Sequence, residues 1–261
     1  MPDSPTKGLY GQNWWRDRPL VVAHRGASQA APQNTLTAFR LAVEMGADAV
    51  ELDVHLTADN VPVVIHDATV DATTNGTGAV RQMSLTQLQT LNIARGEHIP
   101  TLEEVLSEVG QRLLINIEFK DHTLRGTGLE AIVGKILRQT DMLDRVWFSS
   151  FNPFSLRRAR AAIPEVPCGM LYSRQLPIYL RHRWLAPITP HEALHPEHTL
   201  VTSTLIENAH RRDLRVAAWT LDDPERAQHL TAWGVDAIIT NVPDQILEAI
   251  GRYKTQHISK S

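Results

Sequence analysis

Residues 49–67 read AVELDVHLTADNVPVVIHD. The run begins as an apolar strand carrying Glu51 and Asp53 two positions apart, hence on one face. It turns at Asp59-Asn60, resumes as PVVI and ends on His66-Asp67, so acids and titratable groups stand where buried runs pass or stop. Upstream, the apolar run LVVA closes on His24-Arg25-Gly26; downstream, INIEFK delivers Glu118 and Lys120, again two apart. Polar groups converging at strand ends are how barrel enzymes build active sites. The inventory is three carboxylates, two histidines, one arginine and one lysine.

Outward from this stretch, strand-length apolar runs alternate with segments of helical period, which favours a parallel sheet with helical crossovers. PLVVAHRG is the first strand, and residues 34–45 its helix, with Asn34 as the expected cap and Gly46 as the stop. AVELDVHL is the second strand, continued by PVVIHD. Residues 69–100 break the rhythm with turn residues and one short amphipathic piece, SLTQLQTL, and read as a loop insertion placed to shape a substrate entrance. TLEEVLSEV opens with Thr101 and Glu104 at capping-box spacing. RLLINIEFK with GLEAIVGKILRQ, RVWFSSF with PFSLRRARAAI, VPCGMLY with LPIYLRHRWL, EALH with STLIENAHRR, RVAAWTL with PERAQHLTAWG, and DAIITNVP with DQILEAIGRY complete eight strand–helix units. The chain has 261 residues, against roughly 250 for an eight-stranded α/β barrel. The expected fold is a (β/α)8 TIM barrel: one domain over residues 1–261, with its core at about 19–253 and a small insertion, about 69–100, after the second strand region.

Composition narrows the function classes. Hydrophobic residues make up 43% and charged residues 21%, ordinary for a globular protein, and a net charge of -3 gives no basic surface for nucleic acid. The single cysteine, Cys168, excludes an internal disulfide and sits in the apolar run PCGMLY, where a packed core residue is expected. The start lacks the apolar stretch of a signal peptide, and no segment approaches the ~18 uninterrupted apolar residues of a spanning helix, so a cytoplasmic location is expected. Trp14-Trp15 with Arg16 and Arg18 could touch a membrane interface, but such a pair more often covers one end of a core, which is the expectation here. Homodimers are frequent at this size, although no apolar surface stripe is distinct enough to predict one.

Glu51, Asp53 and Glu118 aimed into one cavity raise each other's pKa values unless a cation neutralises them. All-oxygen ligation points to a hard divalent ion, Mg2+ or Ca2+, rather than zinc. Spacing alone leaves a second reading equally open, a buried ion network with Arg25 and Lys120. Of the 12 histidines, His24 and His66 stand apart because both terminate strands beside the carboxylates; an imidazole gives or accepts a proton near neutral pH. An acid and a base flanking a metal are the equipment for hydrolysing a phosphate ester, and Arg25 and Lys120 add positive charge for the phosphate.

The segments HRGAS, NTLTAF, VELDVHLTADNVPVVIHD, TTNGTG, IPTLEEVL, INIEFK, SSFNP, AAWTLDDPE and GVDAIITNVPDQI together resemble the glycerophosphodiester phosphodiesterases, especially their short bacterial cytoplasmic members, from about residue 20 to about 250. The resemblance implies metal-dependent hydrolysis of a small-molecule glycerophosphodiester to sn-glycerol 3-phosphate and an alcohol. By position it implies Glu51, Asp53 and Glu118 as metal ligands, His24 and His66 as acid and base, Arg25 and Lys120 as phosphate-holding groups, and Trp219 as an aromatic lining the alcohol pocket. One departure stands out: the family's Glu-Asn-Thr after a proline is Gln33-Asn34-Thr35 here. Losing that charge implies weaker metal affinity or a shifted pH optimum. Alternatives are a lysophospholipase D or phospholipid-cleaving lyase of the same superfamily, and a catalytically weak barrel that binds a phosphodiester.

Overall fold

The computed structural model describes residues 18–181 and 183–252; Trp14-Trp15 lies outside them. The first half of the chain forms β1 (Leu20–His24), α1 (Leu36–Glu44), β2 (Ala49–Leu56), β3 (Pro62–Val64), α2 (Leu85–Gln89), α3 (Leu102–Val109), β4 (Leu114–Phe119) and α4 (Leu129–Gln139). Next come β5 (Val146–Ser150), α5 (Pro153–Ala162), β6 (Cys168–Tyr172), α6 (Ile178–Arg181) and β7 (Ala193–Pro196). The order ends with α7 (Ser203–His210), β8 (Arg215–Ala218), α8 (Pro224–Ala232), β9 (Ala237–Thr240) and α9 (Pro243–Ala249). Eight strands are parallel, in the order β1-β9-β8-β7-β6-β5-β4-β2, and β1 pairs with both β9 and β2, closing the sheet into a (β/α)8 barrel. Among the described residues no helix is long and apolar enough to cross a membrane.

PVVI is not a barrel strand. β3 folds back antiparallel on β2, with Val64 opposite Val54, through a tight turn in which Asn60 takes φ 61°. A parallel partner would need a crossover of a dozen or more residues, and the turn at Asp59-Asn60 leaves no room for one. The hairpin has a consequence for the site: it returns the chain beside the upper part of β2, where the Ile65 amide bonds the Asp53 carbonyl at 3.0 Å and His66 follows.

Alternation along the strands sorts the side chains. Outward positions such as Leu52, Val54, Ile115, Ile117 and Phe148 pack with Phe39, Leu102 and Leu156 from the helices. Leu20, Val22, Ala49, Trp147, Ala217 and Ala237 fill the barrel interior. In β2 the inward set continues from Ala49 to Glu51 and Asp53, and register places Asp53 opposite Glu118 of β4. Apolar interior therefore gives way to acids toward the C-terminal strand ends.

Local signals hold with two exceptions. Thr101 and Glu104 form the expected capping box, as do Ser84 and Gln87 at the start of α2, and Gly46 with φ 80° follows the end of α1. α1, however, is capped by Thr35, whose side chain accepts from the Ala38 amide, because Asn34 is turned elsewhere with φ 57°. The helix expected over LPIYLRHRWL shrinks to Ile178–Arg181, ended by Arg183 in the left-handed region. Residues 69–100 bury a small cluster of their own, in which Val70, Val80, Leu88 and Ile93 pack with Val63 and Ile65 of the hairpin. Cys168 is a buried core thiol whose pKa burial pushes up to about 12.

His195 of β7 is fully buried, and neither ring nitrogen has a hydrogen-bond partner. It lies so close to β6 that a Cβ on Gly169 would sit 2.3 Å from Nε2, which is why that position has no side chain. Burial pulls its pKa down to about 3. The unfolded chain takes up a proton near pH 6.5 that the folded ring refuses, so stability is whole above that pH and declines as pH falls toward 3. Replacing this ring by an untitratable side chain, His195→Met, should therefore flatten the acid limb. Urea unfolding at pH 7, 5 and 4 checks it: an equal loss of stability in variant and parent would contradict the assignment.

Candidate active site

The site starts with a sharp turn. Immediately after β1, Arg25 and Gly26 take φ 56° and 81°, and a Cβ on Gly26 would lie 2.6 Å from the Ala38 backbone, so only glycine fits. This turn points the Arg25 amide at Glu51 Oε2, 3.1 Å away, and its side chain inward. There Nε lies 3.2 Å from Asp53 Oδ2, and Nη1 donates to Gln33 Oε1 at 2.7 Å. The Asn34 amide donates to the same Asp53 oxygen at 2.8 Å, the contact that takes it away from helix capping. Lys120, two residues beyond Glu118, reaches Asp53 Oδ1 at 3.0 Å and Glu118 Oε1 at 2.5 Å.

Glu51, Asp53 and Glu118 are all buried, and one oxygen from each lies within 4.8 Å of the others. At Asp53 burial favours the neutral acid, but Lys120 and Arg25 together outweigh it and hold the carboxyl well below the usual range. Glu51 goes the other way: burial, reinforced by Asp53 and Glu118, pushes its pKa well up. Burial likewise lifts Glu118 to about 7 against the pull of Lys120. Lys120 stays firmly protonated, since the carboxylates around it overcome its desolvation. Of the two readings left open by the spacing, the ion network is present. It supplies two cations for three carboxylates, however, and leaves buried Glu51 Oε1 with no hydrogen-bond partner. One oxygen each from Glu51, Asp53 and Glu118 gives an all-oxygen donor set that fits a hard divalent cation.

The histidines are held differently. His24 Nδ1 lies 2.8 Å from Asn241 Oδ1, and the Asn241 amide nitrogen donates to Asp222 Oδ2 at 2.6 Å. A carboxylate only accepts, so the amide must face Asp222 with its NH2 and His24 with its oxygen; His24 Nδ1 must therefore carry the hydrogen. Ser28 Oγ donates to the same oxygen at 2.8 Å, and the Asn241 backbone amide donates to Asp222 Oδ1 at 2.7 Å. Nε2 of His24 is left as a lone pair on the Glu51 side, 3.9 Å from Oε2, and burial holds the ring's pKa down to about 4. His66 is half-buried, pairs through Nδ1 with Asp67 Oδ1 at 2.7 Å, and is also shifted down by burial. His55 Nε2, behind it, meets the His66 carbonyl at 3.1 Å.

A cavity of about 200 Å3 brings together His24, Arg25, Glu51, His66, Glu118 and Lys120, with Trp219 at its edge. Asp53, the remaining expected residue, is fully buried and tied to the two cations. Trp219 donates its Nε1–H to the His195 carbonyl at 2.7 Å and stands edge-on to Phe151, ring centroids 5.4 Å apart. Among the described residues, none of 69–100 lines this cavity. Reading the sequence alone sets Asn241 at a strand end with the other candidates but passes over Phe151, the role of Asn34, and the pairing of Asn241 with Asp222 that sets the His24 tautomer. For the last, the one signal is an asparagine directly after an apolar strand, IITN.

A family model described as glycerophosphoryl diester phosphodiesterase matches residues 24–245. A glycerophosphodiester phosphodiesterase of Caldanaerobacter subterraneus subsp. tengcongensis is 37% identical over 243 residues, covering 89% of this chain and 98% of that protein. Among solved structures, an Oleispira antarctica phosphodiesterase in complex with the product sn-glycerol-3-phosphate superposes with a TM-score of 0.78 at 31% identity, over 89% of this chain and 97% of that one. A glycerophosphodiester phosphodiesterase of Agrobacterium tumefaciens gives 0.76 at 27% identity, over 88% and 99%. The fold, the grouping of acids and histidines at the strand ends and these matches agree: the chain belongs to the glycerophosphoryl diester phosphodiesterase family and is an enzyme of that kind.

Proposed function

We propose that this enzyme hydrolyses glycerophosphodiesters to sn-glycerol 3-phosphate and the free alcohol, with His24 as general base and His66 as general acid. The observation that carries the division of labour is the hydrogen bond from His24 Nδ1 to Asn241 Oδ1, which leaves Nε2 free to take a proton. His24 removes the proton of the attacking oxygen, whether water or the substrate's own glycerol hydroxyl. His66, whose imidazolium form Asp67 favours, protonates the departing alcohol oxygen. Arg25 and Lys120 line the cavity and place positive charge beside the phosphate. Glu51, Asp53 and Glu118 would hold Mg2+ or Ca2+, an ion that supplies Lewis-acid polarisation of a phosphoryl oxygen. Trp219 packs against the alcohol. The product assigned here is supported by the Oleispira antarctica phosphodiesterase, whose structure is a complex with the product sn-glycerol-3-phosphate.

The reaction is tested by measuring sn-glycerol 3-phosphate released from glycerophosphocholine and glycerophosphoethanolamine by EDTA-stripped protein, with Mg2+, Ca2+ or no metal returned. Release should depend on the metal, and His24→Ala and His66→Ala should each lose about 10²-fold or more in turnover; near-parental rates in both variants would remove the acid–base assignment. Binding is tested without turnover. Returning the preferred ion at about 100 times its Kd should stabilise the stripped protein by about 2.7 kcal/mol, seen as a rise in Tm, and Glu51→Gln should abolish most of it. Because Gln33 gives Arg25 only a neutral acceptor, Gln33→Glu should tighten the ion; unchanged affinity and pH profile in that variant would count against a role for this position.

A further inference from the structure

The cavity that holds the histidines and acids shares Phe151 and Trp219 with a second, wider cleft of about 650 Å3. The two rings, edge to face, form the boundary between the compartments. Their sizes suit a substrate in two parts. The inner one, about 200 Å3, has room for roughly seven waters at 30 Å3 each and is matched to a glycerol phosphate, whereas the outer one has the volume of a typical ligand pocket. Leu124, Pro153, Phe154, Leu176 and Leu185 line the rest of the outer wall beside the uncharged polar Asn152, Ser173 and Gln175, and among the described residues none lining it is an aspartate, glutamate, lysine or arginine. His122 also lines it and is kept toward its neutral form by burial and by Lys120. Apolar surface continues past the rim: Leu124 is 72% exposed, and Trp184, next to Leu185, is 64% exposed.

We propose that the outer cleft receives the alcohol half of the substrate, and that the alcohol it takes best is uncharged with an extended apolar chain rather than a small cationic head group. The proposal rests on the phosphodiesterase reading above and deepens it. Magnitudes decide between the two alcohols. Aromatic faces such as Trp219, Phe151 and Phe154 would favour a quaternary ammonium by roughly 2- to 30-fold, without a carboxylate to assist. Each methylene buried against leucines favours binding by roughly fourfold, so a chain of four already exceeds the upper end of that range. Crossing the Phe151–Trp219 boundary, the ester oxygen stays in the inner cavity, where His66 protonates it as the P–O bond breaks, and the chain lies along the outer wall.

The experiment compares glycerophosphodiesters of methanol, n-butanol, n-octanol and choline with the metal-supplemented enzyme, and measures binding of the same esters to the metal-stripped protein by calorimetry. Both kcat/KM and affinity should climb from methyl to octyl, with the octyl ester at least 10-fold above choline. Leu176→Asp and, at the exposed rim, Leu124→Asp should each cut the octyl-to-methyl ratio by at least 10-fold. A choline ester equal to or better than the octyl ester, or a ratio insensitive to chain length and to both substitutions, would overturn the proposal. Absence of hydrolysis of every ester would instead remove the phosphodiesterase reading, and the calorimetric ladder would still judge the cleft.

Discussion

Asp53, shared between Arg25 and Lys120, is the interaction on which the rest of this site depends. Barrel register sets Asp53 opposite Glu118, with Glu51 one inward step below it, and so concentrates negative charge where water is scarce. Such a group of acids is tolerable only if cations meet it, because removing one partner of a buried pair leaves an uncompensated charge costing about 3–5 kcal/mol. The two cations come from opposite sides. Arg25 is thrown inward by the left-handed turn that follows β1, and Lys120 extends β4 by one residue beyond its last strand position. Asn34 adds an amide from the loop before α1. One carboxylate therefore fixes the ends of β1, β2 and β4 relative to one another, at the seam where β1 closes the barrel.

Glu51 is the remainder of that balance. It accepts the Arg25 amide through Oε2, but Oε1 meets no donor, and burial with neighbouring acids favours its neutral form. A structure built for stability alone would not keep such a group, since an apolar residue of similar size would be as good or better. An acid with an unmet acceptor, in a group of three carboxylates that each bring one oxygen within 4.8 Å of the others, is the feature that suits a divalent cation.

The two histidines show how much depends on the groups behind them. Both line one cavity, yet one is backed by an amide oxygen and the other by a carboxylate. An amide oxygen fixes a neutral tautomer; a carboxylate favours the cation. The difference arises outside the strands, from Asn241 and Asp222 above β9 and β8 and from the hairpin that carries His66-Asp67 back to β2.

Much of this was legible in the chain. Period-two spacing put Glu51 with Asp53 and Glu118 with Lys120 on shared faces, alternating apolar runs gave the eight barrel strands, and HRG at the end of LVVA marked the turn that carries Arg25. These are local consequences of backbone geometry, so residue order by itself determined them. What only the tertiary structure decided is whatever depends on contacts between distant segments. Asn34 caps nothing because Asp53, 19 residues away, takes its amide; PVVI pairs backward because its turn is too short for a crossover; His24 has its tautomer set by Asn241, 217 positions along the chain. Phe151 and Trp219 become one boundary only when β5 and β8, with β6 and β7 between them, are curved into the closed sheet. No spacing in sequence encodes such meetings, since they arise when the sheet closes and hydrogen-bond partners are chosen by position in space.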